Sequence, residues 1–306
     1  MKRLNCIAGY SLLVFLVFTG CKNKELCPQC EQEAGVEIEF DWSDVEKKPE
    51  GMTVLFYNME NELMYTLNNV PPAGETIHIN AGTYRVACYN NDSEYEQWHE
   101  VSNMDSMYVE TRVSEELKAS DKLPQEDLVE CPDFLCGAIL QKKELFAYSN
   151  ETQIVLLKPE PLLCHYTYSV SNIENGEYIE KTSATLSGLS RRYYLSHPEH
   201  QLGTITMPFE DNLVIDGQHT GVGSMLNFGE LNLRDNHNYL TLYIWSKGGN
   251  FRAIFDVTDQ VMNAPDPKNV HIVIDTKLVV PPPIGGGDGL EPSVDEWEDV
   301  YYDIIL

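Results

Sequence analysis

The spacing of cysteine, histidine and carboxylate residues gives this chain few routes to chemistry. Cys27 and Cys30 form a C-x-x-C pair, the spacing of a redox dithiol or of half a four-ligand zinc site. No second half follows at zinc spacing, and the pair lies in a polar stretch instead of between a strand and a helix. An incidental or locally bridged pair is the plainer reading. His197 and His200 stand three apart; Pro198 between them argues against a helix and leaves them in a loop. His78, His165 and His271 fall in strand-like runs without matching partners. Asp295, Glu296, Glu298 and Asp299 flank Trp297, a patch able to bind a cation or a partner, although a solvated strand face is the simpler assignment. A glycosidase needs two carboxylates about 5 to 9 Å apart across a cleft, and sequence alone cannot select them from 48 acidic residues. Nucleophile-elbow, phosphate-loop, H-E-x-x-H, EF-hand and dinucleotide motifs are all absent. Asp288-Gly289-Leu290 carries only a fragment of a calcium loop's composition. The expectation is a protein that is not an enzyme, with no catalytic residue, no cofactor and no metal.

The cysteine with a defined chemical role is Cys21. Met1-Lys2-Arg3 supplies positive charge, an apolar run extends from Ile7 to Phe18, and Thr19-Gly20 precedes Cys21. This is the charged and apolar layout of an export signal. The small residues before the cysteine resemble a bacterial lipobox, with Phe18 where Leu is usual. The thiol of Cys21 is then the lipidation point and the mature N-terminus. A plain secretory signal and an uncleaved anchor are the competing readings, but the run is short for a bilayer span of about 20 residues. Residues 22–34 read as a polar tether that lifts a folded body clear of the headgroups. Cleavage removes Lys2 and Arg3 and moves the net charge from -27 to -29. Charge of that sign disfavours nucleic acid and anionic lipid surfaces as non-specific partners. Four cysteines remain in the body, Cys88, Cys131, Cys136 and Cys164. Export exposes them to an oxidising compartment. Cys131 and Cys136 could close a small disulfide loop, and three full pairings stay open.

The elements that carry these residues read as strands. In a chain of 306 residues, Val36, Ile38 and Phe40 alternate with Glu37, Glu39 and Asp41, one apolar face and one charged. The runs 52–57, 63–67, 76–79, 83–89 and 107–113 follow at roughly ten-residue spacing, separated by Gly, Pro and Asn turns. Residues 91–150 are less regular, with a short helix expected from Ser114 and a loop over 121–133. Further strands are predicted at 152–157, 162–170, 184–189, 204–209 and 223–228. Tyr239–Trp245 and Phe251–Val257 read as a hairpin through Lys247-Gly248-Gly249-Asn250. Asp259–Met262 reads as a helical turn, Val270–Ile274 and Lys277–Val280 as a strand pair, and the Val300–Leu306 alternation as a closing strand. This pattern argues for all-β sandwiches instead of βαβ units. Length suggests two domains, placed at 35–150 and 151–306 behind the signal (1–20) and tether (21–34).

The Gly51–Tyr57 strand, the Ile79-Asn-Ala-Gly-Thr-Tyr-Arg-Val86 turn and strand, Tyr89-Asn-Asn-Asp92 and the tail Trp297–Ile304 resemble Bacteroidetes fimbrillin-like lipoproteins, nearest to an uncharacterised domain family of Bacteroides lipoproteins. The resemblance implies two tandem transthyretin-like Greek-key β-sandwich domains and a place in a surface fimbrium, with other fimbrial subunits as partners by β-strand addition. It implies an outer-membrane location held by lipid at Cys21. Polymerising members are cut by an arginine-specific protease at the first strand. Here no Arg occurs between Cys21 and Tyr84, and the first is Arg85, within a predicted strand; Lys24, Lys47 and Lys48 are the alternatives. An uncut chain fits an anchor or accessory subunit. The alternative is a monomeric surface lipoprotein that binds glycan or another ligand through loop aromatics, with Trp98 as one exposed candidate.

Overall fold

The computed structural model describes residues 33–114, 126–147, 152–197, 203–212, 221–231, 236–283 and 298–302. The signal, Cys21, the C-x-x-C pair, the helix expected after Ser114 and the Gly-rich run after Pro283 lie outside the described residues.

Within them the protein is almost entirely β. The first strands are β1 (Glu33–Phe40), β2 (Met52–Tyr57), β3 (Leu63–Val70), β4 (Glu75–Asn80), β5 (Gly82–Asn90), β6 (Glu96–His99), β7 (Tyr108–Thr111) and β8 (Asp127–Leu128). There follow β9 (Cys136–Leu145), β10 (Gln153–Leu157), β11 (Glu160–Pro161), β12 (Cys164–Val170), β13 (Ile173–Glu174), β14 (Ile179–Ser190), β15 (Arg192–Tyr194) and β16 (Thr204–Pro208). The rest are β17 (Glu210–Asn212), β18 (Gly221–Asn227), β19 (Tyr239–Ser246), β20 (Gly249–Asp256), β21 (Asn269–Ile274), β22 (Leu278–Val279) and β23 (Glu298–Tyr302), with a 3₁₀ turn (Gly176–Tyr178) before β14 and the short helix α1 (Thr258–Met262) before β21.

A three-stranded sheet, β10-β1-β4, faces a five-stranded sheet, β11-β9-β5-β2-β3. Between them lies one apolar core that includes Val36, Ile38, Val54, Phe56, Val86, Val155 and Leu157. The alternation in β1 is what places Ala34, Val36 and Ile38 inside; each fully buried aliphatic side chain of this size contributes about 1.5–3 kcal/mol. Gly74 makes the turn into β4 at φ +85, and a Cβ there would come within 2.0 Å of the Ile38 carbonyl oxygen, so only glycine fits.

A second pair of sheets, β17-β18-β12-β21 and β23-β20-β19-β14-β16-β8, encloses a core that includes Tyr166, Tyr168, Leu186, Leu242, Ile244, Phe255 and Ile272. The β19–β20 hairpin closes where expected, with Ser246 opposite Gly249. The expected pairing of 270–274 with 277–280 does not form. β21 pairs in parallel with β12, and β22 in parallel with β13. The short stretch between β21 and β22 is not a reversal; it carries the chain onward to a neighbouring strand.

The third small sheet, β15-β7-β6, covers the outer face of β2 and β5 through a core of Leu55, Tyr57, Met107, Val109, Leu162 and Phe228. Strand pairing crosses the residues 150 and 151 where a boundary was expected. β10 follows it in sequence, yet it pairs in parallel with β1, because Val155 and Leu157 supply the apolar side chains that finish the first core. β8 precedes the boundary, within the stretch expected to be a loop, yet it pairs with β16.

Candidate functional site

β1 is the element on which the strand-addition expectation turns. It is the central strand of its sheet, antiparallel to β4 from Glu33 opposite Asn80 to Ile38 opposite Glu75. On its other side it runs parallel to β10 from Val36 beside Gln153 to Phe40 beside Leu157. Both hydrogen-bonding edges of β1 are therefore used, and its inward side chains are buried. A groove for another strand exists here only if β1 leaves. The exposed loop that follows β1 carries Lys47 and Lys48. Arg85 is held inside β5, between β2 and β9. Its guanidinium donates to Asn61, to Asp105 Oδ1 at 3.2 Å and to Gln141 Oε1 at 2.8 Å.

The third sheet carries a second arrangement; its central strand β7 falls within the expected 107–113 run, whereas β6 and β15 were not expected as strands. Its inner face is the row Trp98, Val109 and Tyr193, set opposite one another by register and packed on the core below. Its outer face has two rows. His99, Tyr108 and Tyr194 form one, and Gln97, Glu110 and Arg192 the next. His99 stacks on Tyr108 at 5.0 Å between ring centroids, and Tyr194 lies 5.4 Å from Tyr108 on the other side. The Arg192 guanidinium lies over the Tyr108 ring at 4.3 Å, within cation–π range. Glu110 accepts from Arg192 Nε at 3.1 Å and stands 3.5 Å from His99 and 3.6 Å from Arg191. The stacking occupies the ring faces, so this surface offers ring edges, hydroxyls and charge. The strands missed are β6 and β15, which at four and three residues are too short for their alternation to be read.

Trp98, expected as an exposed loop residue, is partly buried on β6 and stacks on Tyr89 at 4.1 Å. On the inner face beside it, both carboxylate oxygens of Glu96 are enclosed with no well-aligned hydrogen bond among the described residues, only looser backbone N–H groups nearby, and the Thr111 hydroxyl lies directly opposite. Burial, with the nearby Asp133 charge adding to it, pushes the Glu96 carboxyl up to about 7.

The cysteines do not form the Cys131–Cys136 bridge. Cys88, Cys131, Cys136 and Cys164 are free thiols. Cys136 lies in the first core with Cys88, whereas Cys131 packs against the second and donates to the Leu226 carbonyl at 3.6 Å. The chain between them passes from one core to the other, which turns the two side chains to different interiors. Burial raises all four thiols above their ordinary range, which suppresses the thiolate needed for reactivity.

His197 stands 3.7 Å from Asp105, and His200 lies outside the described residues. His271 is exposed and shares its ring nitrogens with Thr167 and Ser169. Of the acidic tail group, Asp295, Glu296 and Trp297 lie outside the described residues. Glu298 and Asp299 begin β23, which runs parallel to β20. Among the described residues, no three His, Cys, Asp or Glu side chains converge on a metal position. No described helix is long and apolar enough to cross a membrane.

Residues 20–210 match the family model described as a domain of unknown function, DUF5119. The chain belongs to this family. The fold of the DUF5119 chain is also that of solved proteins from Bacteroides and Porphyromonas. An adhesin candidate from Bacteroides ovatus superposes with a TM-score of 0.65 at 19% identity, over 87% of this chain and 99% of its own. A candidate polysaccharide-binding protein from Bacteroides thetaiotaomicron gives 0.54 at 9% identity, over 81% and 93%. The fimbrial anchor protein Mfa2 of Porphyromonas gingivalis gives 0.51 at 14% identity, over 79% and 90%. No curated protein matches the sequence.

Proposed function

We propose that this DUF5119 protein is a non-enzymatic surface lipoprotein that serves as an anchor or accessory subunit of a fimbrium-like assembly. Acyl chains on Cys21 hold it in the outer membrane; several chains on one residue give stable anchoring, since each buried methylene adds about 0.8 kcal/mol. Its body comprises two transthyretin-like Greek-key sandwiches in tandem, with the division moved from residue 150 to the β11–β12 connection. The observation that carries the reading is β1. It sits at the centre of its sheet with both edges paired, and no arginine precedes it in the mature chain. A subunit that keeps this strand also keeps the lipid upstream of it. It can then receive a neighbour at another edge or face without polymerising through its own core. The fold shared with a fimbrial anchor protein supports the same role.

Mass spectrometry of the native, membrane-extracted protein tests this reading by reporting both its N-terminus and its bound partners. An acylated Cys21 with sandwich-type subunits attached is the expected result. A mature chain beginning near residue 48, without lipid, would overturn it.

Binding of a glycan or other small ligand is the second reading, favoured by the outer rows of the β15-β7-β6 sheet. Tyr108 and Tyr194 edges beside Gln97, Glu110 and Arg192 supply hydrogen-bonding groups for a polar ligand. A glycan array separates this from anchoring, because ligand capture by the isolated protein needs no subunit.

A further inference from the structure

The outward face of the β10-β1-β4 sheet is not described by either reading. The alternation that buries Val36 and Ile38 sends Glu33, Glu37 and Glu39 outward. Register sets Ile154 beside Glu37 and Leu156 beside Glu39, so two columns run side by side at strand spacing, about 4.8 Å apart. One column is acidic and the other apolar. Ile154 is 39% exposed and Leu156 53%. Glu37 and Glu39 make no ion pair among the described residues. The cation that follows on the β10 column, Lys158, is committed to Asp44 at 2.7 Å. The other outward neighbours on β4 are Thr76, opposite Glu37, and His78, which lies over Gly35. Edge strands are ordinarily protected by outward charge. β10 is an edge strand whose outward side chains are apolar, with the charge displaced one strand inward.

We propose that this face docks a protein partner whose contact surface sets Lys or Arg beside apolar side chains. Charge complementarity selects that occupant. A second copy of this acidic chain would bring like charge to the same face, and anionic lipid headgroups would be repelled by it. A basic surface gains the two free carboxylates and covers Ile154 and Leu156 in one contact. The proposal rests on the anchor reading and deepens it, the basic partner being the subunit that reading expects.

Fluorescence anisotropy with the full chain tests it. The probes are labelled peptides of five Lys-Leu, five Glu-Leu and five Lys-Ser repeats. The Lys-Leu peptide is expected to bind in a salt-sensitive manner, the Lys-Ser peptide at least fivefold more weakly, and the Glu-Leu peptide not at all. Glu37→Gln with Glu39→Gln should weaken Lys-Leu binding about tenfold, and Leu156→Ser or Ile154→Thr about fivefold. The pair Glu60→Gln with Glu180→Gln, on exposed positions outside this sheet, should leave it unchanged. Absence of Lys-Leu binding overturns the proposal. So does an equal loss in the Glu60/Glu180 pair, which would make the attraction a property of net charge. The titration needs no lipid, so a chain lacking acylated Cys21 would defeat the anchor reading while leaving this test intact.

Discussion

The side-chain amide of Gln153 closes a two-bond ring with the backbone of Phe146. Its Oε1 accepts from the Phe146 N–H at 2.7 Å, and its Nε2 donates to the Phe146 carbonyl at 2.8 Å. Gln153 begins β10 and Phe146 follows β9, so one amide ties the two sheets of the first sandwich at their rim. Gln260 on α1 makes the same ring with Val273 of β21, at 2.8 and 3.0 Å. In both cases an amide satisfies a backbone N–H and C=O that would otherwise be left to water or to another chain. Gln153→Leu removes both bonds with little change in volume. Hydrogen bonds at partly exposed sites contribute modestly, and the expected loss is about 1 kcal/mol, read as a lower urea midpoint with an unchanged slope.

β1 makes the first core depend on its retention. Ile38 is fully buried against residues of both sheets. Ile38→Ala should cost about 3 kcal/mol through lost transfer energy and a residual cavity. Glu37→Ala, one residue away and outward, should shift the same denaturation curve by no more than about 0.5 kcal/mol. Equal effects from the two would overturn this register of β1.

Limited proteolysis of the folded protein should distinguish Arg85 from Lys47 and Lys48. The arginine is bonded within a central strand, and its side chain is only 14% exposed. Both lysines are exposed in the loop after β1. A lysine-specific protease is expected to cut between β1 and β2, while an arginine-specific protease leaves the bond after Arg85 intact until the protein unfolds. Intact-mass analysis of timed samples reads both.

Stability should fall as pH rises through neutrality because of Glu96. Its folded carboxyl titrates near 7, above the ordinary carboxylate value of about 4.3. The folded state then holds the proton more tightly than the unfolded state. The favourable contribution is complete below about pH 4 and is lost by about pH 8. Partial exposure reduces the effect to about 1 kcal/mol. Thermal melts of Glu96→Gln should show a smaller difference between pH 5 and pH 8 than those of the unaltered chain. An identical pH dependence in the two would assign the effect to another group.

The local pattern of this sequence determined its strands. Period two in β1, the apolar and aromatic runs of β2 and β19, and the Gly-Gly hairpin between β19 and β20 act over a few residues, where side-chain direction and turn geometry follow from residue type. The signal-like start and the arginine-free stretch before β5 are likewise properties of order alone. Pairing is not local, and the parallel partnerships β1 with β10 and β12 with β21 join segments about a hundred residues apart. Which strand fills the place beside β1 depends on which apolar column completes the core, and several runs here carry equivalent columns. The same limit hid the strands that set His99 and Tyr194 beside Tyr108 and separated Cys131 from Cys136. Four-residue strands carry too little periodicity to be read alone, and five residues of sequence separation say nothing about which of two cores each thiol enters. Only the folded sheets bring Glu37 and Glu39 beside Ile154 and Leu156, because that contact requires β10 to return to a strand whose charged face was already set.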